Sequence, residues 1–273
     1  MKAQNLTVCV PTTKQRCDKN CPYCISTITW QTLPNPTLIQ TNMPKVKRVA
    51  DSAGVCSVLV TSKGEPFLNP WGLFWTLNQF KDYWLEIQTN GIQLRTHIHD
   101  MIPKLVSTHV NVIALSIDKI SEINDAKYLI ETLSKWDIIT RLCVNVTDIL
   151  MCDKFKDIMK VVENVGNVRQ VLFRNINYPS TADPENPAVE WIDNHTPIGA
   201  YSNLAIEMLG MGLNVIREIP LTIIKTYDYN GISVCFSDYC IQESNQSENI
   251  RSLILQEDGH LYTNWNSPAS ILF

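Results

Sequence analysis

The sequence is short of charge, of glycine and of long apolar runs. Asp, Glu, Lys and Arg make up 18% of its 273 residues, below the roughly 25% usual for soluble domains. Apolar residues at 45% nevertheless exclude intrinsic disorder and favour a packed globule. There is no cationic excess: 23 Lys and Arg stand against 27 Asp and Glu, a net charge of −4. A chain that grips nucleic-acid phosphates is normally basic, so wholesale nucleic-acid binding is disfavoured. The longest apolar stretches run to about eight residues, far short of the roughly 20 that a membrane-spanning helix needs. Glycine is scarce, at 10 residues, and no repeat, low-complexity tract or linker divides the chain. No export signal precedes the cysteines, whose number, nine, is odd. These two features together lead us to expect reduced thiols in a cytoplasmic protein, available for metal rather than for disulfides.

Short β-type runs alternate with longer helical ones along the chain, the pattern of βα units around a parallel sheet. Strands are expected at Leu6–Val10, Ser57–Thr61, Trp84–Thr89, Val110–Ile117, Thr140–Val146 and Gln170–Phe173. Helical character falls at Met43–Ala53, Trp71–Phe80, Leu94–Leu105, Ile120–Lys135, Asp153–Val165 and Gly199–Gly210. The predicted fold class is therefore α/β, a partial (β/α)6 TIM-type barrel over residues 1–212. Residues 213–273 form a short C-terminal β extension of the same compact unit, ending in a hairpin, Leu253–Tyr262, around Glu257-Asp258-Gly259. Ser26–Asn42 and Asn175–Pro197 read as long loops, and hence as lid candidates.

Cys17, Cys21 and Cys24 share one loop directly after the first strand. A structural zinc site is closed by four ligands, and here a fourth would have to come from a distant residue such as Cys9. An iron–sulfur cube held by three thiolates instead leaves one iron open to a cofactor or substrate. The C-x3-C-x2-C spacing, with Tyr23 before the last cysteine, resembles the radical S-adenosylmethionine superfamily. That resemblance implies a 4Fe-4S cluster whose open iron chelates S-adenosylmethionine. It implies reductive cleavage to a 5′-deoxyadenosyl radical, which abstracts hydrogen from an unreactive C–H bond. It also implies an oxygen-sensitive enzyme supplied by an electron donor such as flavodoxin or ferredoxin.

Further motifs carry the resemblance strand by strand. Ser62-Lys63-Gly64-Glu65-Pro66 is similar to the superfamily's Gly-Gly-Glu-Pro turn, which receives the methionine amino group, with Lys63 replacing the first glycine. Gln88-Thr89-Asn90-Gly91 matches a Thr-Asn-Gly strand end, and Leu115-Ser116-Ile117-Asp118 a place near the cofactor's ribose. Asn145 matches an asparagine of cyclase-like members, and the core as a whole resembles that of molybdopterin cyclases. The resemblance thus implies cofactor contacts at Tyr23, Gly64, Glu65, Pro66, Asn90, Ser116, Asp118 and Asn145. Alternation along the third strand puts Glu86 and Gln88 on one face with Asn90, and Arg174 ends the sixth strand, so Glu86, Gln88 and Arg174 are candidate substrate contacts. Cys143 shares a face with Asn145 and is a candidate for returning hydrogen to a product radical, or else a small core residue. Cys235 and Cys240 could hold a second cluster, though further ligands are missing. Absence of an auxiliary domain favours a small-molecule or nucleotide substrate. A ribosomal-peptide substrate is the alternative, and a non-catalytic zinc or iron–sulfur binding module is the alternative of another class.

Overall fold

In the computed structural model of the protein, residues 1–150, 153–218, 224–237, 249–265 and 267–273 are described. The chain runs β1 (Lys2–Val10), α1 (Ile25–Ile28), α2 (Pro36–Ser52), β2 (Ser57–Ser62), α3 (Pro70–Gln79) and β3 (Trp84–Thr89). There follow α4 (Ile92–Thr96), α5 (Ile98–Ser107), β4 (Val110–Ile117), α6 (Ile120–Asp125), α7 (Lys127–Ser134) and β5 (Ile139–Val146). Then come α8 (Phe155–Val165), β6 (Val168–Asn175), α9 (Pro187–His195) and α10 (Ile198–Gly210). The last strands are β7 (Val215–Glu218), β8 (Lys225–Tyr229), β9 (Ile232–Ser237), β10 (Asn249–Leu255) and β11 (Leu261–Tyr262).

The described strands form one mixed sheet in the order β11-β10-β1-β2-β3-β4-β5-β6-β9-β8-β7. Strands β1 to β6 are parallel neighbours, as the βα alternation requires. The extension does more than cover the barrel. β10 adds a parallel strand beside β1, and β9 adds one beside β6. Eight parallel strands therefore curve around the lumen, while β7, β8 and β11 attach antiparallel at the flanks. The expected hairpin is present as β10 and β11, with Ile254 opposite Tyr262 and Leu255 opposite Leu261.

Alternation decides what each strand face meets. Leu85 and Ile87 of β3 are fully buried toward the helices, whereas Glu86 and Gln88 are half-buried on the lumen side. Helix α8 returns the complementary stripe: Phe155, Ile158, Met159, Val162 and Val165, spaced three and four apart, are all buried. Each such side chain removed from water contributes roughly 1.5–3 kcal/mol.

Two expected loops hold helices. Ser26–Asn42 contains the start of α2, and Asn175–Pro197 contains α9. In both, an asparagine precedes a proline that opens the helix. Asn35 Oδ1 accepts the Leu38 N–H at 3.0 Å, and Asn186 Oδ1 accepts the Ala188 N–H at 2.9 Å. Asn69-Pro70 starts α3 the same way, its Oδ1 accepting from Gly72 N–H at 3.0 Å. The side chain satisfies an orphan helix-start donor, and proline at the first position has no N–H to lose. The long helices expected at Leu94–Leu105 and Ile120–Lys135 are each broken in two.

Candidate active site

Cys17, Cys21 and Cys24 are free thiols of intermediate burial. They line a lumen cavity of about 370 Å³ at the carboxyl ends of the parallel strands. Gly64, Asn90, Ser116 and Asn145 line it too, so residues separated by more than a hundred positions meet at one place.

The chain fixes the cysteine loop on three sides. Against the β2 end, Glu65 N–H donates to the Arg16 carbonyl at 2.8 Å. Gly64 must be glycine there, because a Cβ would run into that same carbonyl. Against β3 and α4, Asp18 accepts from Asn90 Nδ2 at 2.7 Å and from Gln93 Nε2 at 2.9 Å. Asn90 Nδ2 also lies 3.7 Å from Cys17 Sγ, a donor aimed at sulfur. Against β4 and β5, Lys19 pairs with Asp118 at 2.9 Å and Glu122 at 3.1 Å. There Tyr23 donates its hydroxyl to Asp118, and Asn145 Nδ2 donates to both the Tyr23 oxygen (3.1 Å) and Asp118 (2.8 Å).

Charge follows this geometry. Burial pushes the Asp118 carboxyl up, but Lys19, Tyr23 and Asn145 outweigh it and hold it below its ordinary range. Burial lowers Lys19 in turn, and the carboxylates of Asp118 and Glu122 more than restore it, leaving it raised. Burial, reinforced by Asp118, pushes the Cys21 thiol up to about 11, so a bound metal must displace its proton. Glu65, which lines the cavity, accepts three hydrogen bonds on its carboxylate: Thr89 Oγ1 at 2.7 Å, Asn90 N–H at 2.8 Å and Phe67 N–H at 3.1 Å. Burial still raises it. Lys63, which departs from the superfamily's glycine, is buried with its ammonium on the Trp30 carbonyl, 4.9 Å from that indole ring.

The remaining candidates divide. Gln88 and Arg174 line the cavity. Glu86 does not: Arg141, a lumen residue given no role from the sequence, binds it at 2.6 Å and also reaches Gln170 at 2.7 Å. Pro66 opens a short 3-10 turn and is buried, and Asp118 sits just outside the lining. Cys143 is 1% exposed and does not reach the cavity. Cys240, the proposed partner of Cys235, lies outside the described residues. Asp18, Lys19 and Trp191 were missed, since only contacts far along the chain give them meaning. Trp191, on α9, packs on Tyr23 at 5.3 Å.

Among the described residues no three His, Cys, Asp or Glu side chains converge as one metal ion requires. Cys9 is buried, its thiol raised by desolvation, and does not line the cavity with the other three. A cube makes a different demand, because each thiolate binds a different iron. Three thiols around one cavity suit it. No described helix is long and apolar enough to cross a membrane.

No protein-family model matches the sequence, and no curated protein does. Solved structures do. SuiB of Streptococcus suis bound to S-adenosylmethionine superposes with a TM-score of 0.56 at 12% identity, over 95% of this chain. The match spans only 60% of SuiB. Native anSMEcpe with bound AdoMet gives 0.59 at 15% identity, covering 95% of this chain and 74% of that one. The form with AdoMet and the Cp18Cys peptide gives 0.58 at 15% identity, with 96% and 73% covered. At such identities the shared property is the fold, a partial barrel common to structures that hold S-adenosylmethionine. These matches do not single out a molybdopterin-cyclase-like core.

Proposed function

We propose that the chain is a radical S-adenosylmethionine enzyme acting on a peptide. One observation carries the reading: three free thiols of one loop line the same cavity as the polar ends of strands β2 to β5. Cys17, Cys21 and Cys24 would hold a 4Fe-4S cluster, with one iron left open. Bound there, the cluster supplies one-electron reductive cleavage of S-adenosylmethionine and hence hydrogen abstraction, chemistry no side chain provides.

The chain's own residues do the rest. Tyr23, Gly64, Glu65, Asn90, Ser116 and Asn145 line the cavity and are the cofactor contacts. Pro66 and Asp118 frame them, holding loop and strand ends in register. Gln88 and Arg174 remain for substrate. Glu86 keeps Arg141 in place instead. Electrons come from a small redox protein of the flavodoxin or ferredoxin kind.

A peptide is favoured over a small molecule or nucleotide because anSMEcpe, which shares this fold, was captured with a peptide beside AdoMet. Anaerobic reconstitution tests the metal assignment. About four iron and four sulfide per chain, with a cluster absorption lost on reduction, supports it. Tightly held zinc with no sulfide would instead make the protein a binding module.

A further inference from the structure

A second cavity, of about 780 Å³, opens between the end of β6 and helices α9 and α10. Its volume lies in the range of ligand sites, roughly 300–1,000 Å³. Asn175, Ile176, Ile192, Thr196, Tyr201 and Ile206 line it. Ile176 lines the lumen cavity as well. The two cavities therefore meet at Ile176, which packs with Tyr23 of the cysteine loop and Ile192 of α9.

The groove has a mixed character. Polar side chains from the loop after β6 and from both helices alternate with isoleucines, and its outer lip is Ile206, 65% exposed. Leu209, one turn along the same face of α10, is 55% exposed. A small molecule would fill one cavity or the other. An extended chain advances about 3.3 Å per residue, so a few residues carry it past Ile176. Its backbone would meet the polar side chains and its side chains the isoleucines.

We propose that the α9–α10 groove is a docking track for an extended peptide, whose next residues pass Ile176 into the lumen. This rests on the peptide reading above and adds the place where the flanking segment binds. The probe is a displayed library of random dodecapeptides, selected on the full chain both as purified and after reconstitution. Enriched peptides are synthesised with a fluorophore and titrated by anisotropy. We expect Ile206→Glu, on the exposed lip, and Ala205→Trp, which fills the groove, each to weaken binding about ten-fold or more. Bound peptide should slow amide exchange at 175–178 and 198–206. Ile206→Glu alters an exposed position, so its result stands even if Ala205→Trp fails to fold. Affinity unchanged in Ile206→Glu, protection elsewhere, or no enriched peptide would overturn the proposal. Peptide binding without iron uptake would sink the radical reading and leave the groove. Iron uptake and cofactor cleavage with no peptide enriched would do the reverse.

Discussion

The cysteine loop and the α9 wall touch at Tyr23 and Trp191, yet they are held in unlike ways. The loop is tied residue by residue: Arg16 to the β2 turn, Asp18 to β3 and α4, Lys19 and Tyr23 to β4 and β5. Helix α9 rests on it through a ring contact, the Asn186–Thr27 hydrogen bond at 2.9 Å and an apolar cluster. Hydrogen bonds prefer narrow ranges of distance and angle, whereas burial of apolar surface is non-directional.

The largest effect is expected at the proposed cluster ligands. Cys21→Ala should abolish cluster binding, read as iron and sulfide content, while the fold persists in circular dichroism. Next is the brace behind the loop. Glu65→Ala strands the Asn90 and Phe67 N–H groups and the Thr89 hydroxyl, at about 1–3 kcal/mol for each that water does not reach. We expect about 2–4 kcal/mol in denaturant unfolding of the metal-free chain. A loss near zero would mean that these three bonds do not hold the β2 turn against the end of β3.

Asp118 sharpens the comparison through pH. Its folded pKa is depressed, so its contribution is complete above the unfolded value and fades as pH falls through the folded one. The stability gap between the wild type and Asp118→Asn should be widest near neutrality and close below about pH 4. A gap independent of pH would place the Lys19–Asp118 pair outside the stability of the loop. The smallest effect belongs to the far flank, where Lys225 and Glu218 pair on the exposed β7–β8 ribbon. Lys225→Ala should leave the melting temperature unchanged within error.

The six central strands were legible because alternation is written into Trp84–Thr89 and a short, nearly continuous apolar run into Val110–Ile117, whose bounds match those observed. Helix starts at Asn35-Pro36 and Asn186-Pro187 were also written there, but the prolines read as loop signals when the asparagine ahead of each marks a cap. Pairing of β9 and β10 onto opposite flanks was not legible, since a short apolar run does not name its neighbour. The same holds within the site. Thiol spacing pointed to the cysteine loop as a candidate cluster site, but that Glu65 is bonded by Thr89 and Asn90, and that Glu86 belongs to Arg141, depends on residues dozens of positions away.

Reductive cleavage of S-adenosylmethionine in the three-thiol cavity is the proposed reaction. The direct measurement is anaerobic incubation of the reconstituted chain with S-adenosylmethionine and dithionite, followed by chromatography. We expect 5′-deoxyadenosine that requires the reductant and disappears in Cys21→Ala. A fully loaded cluster that releases none, or release that survives Cys21→Ala, would contradict it.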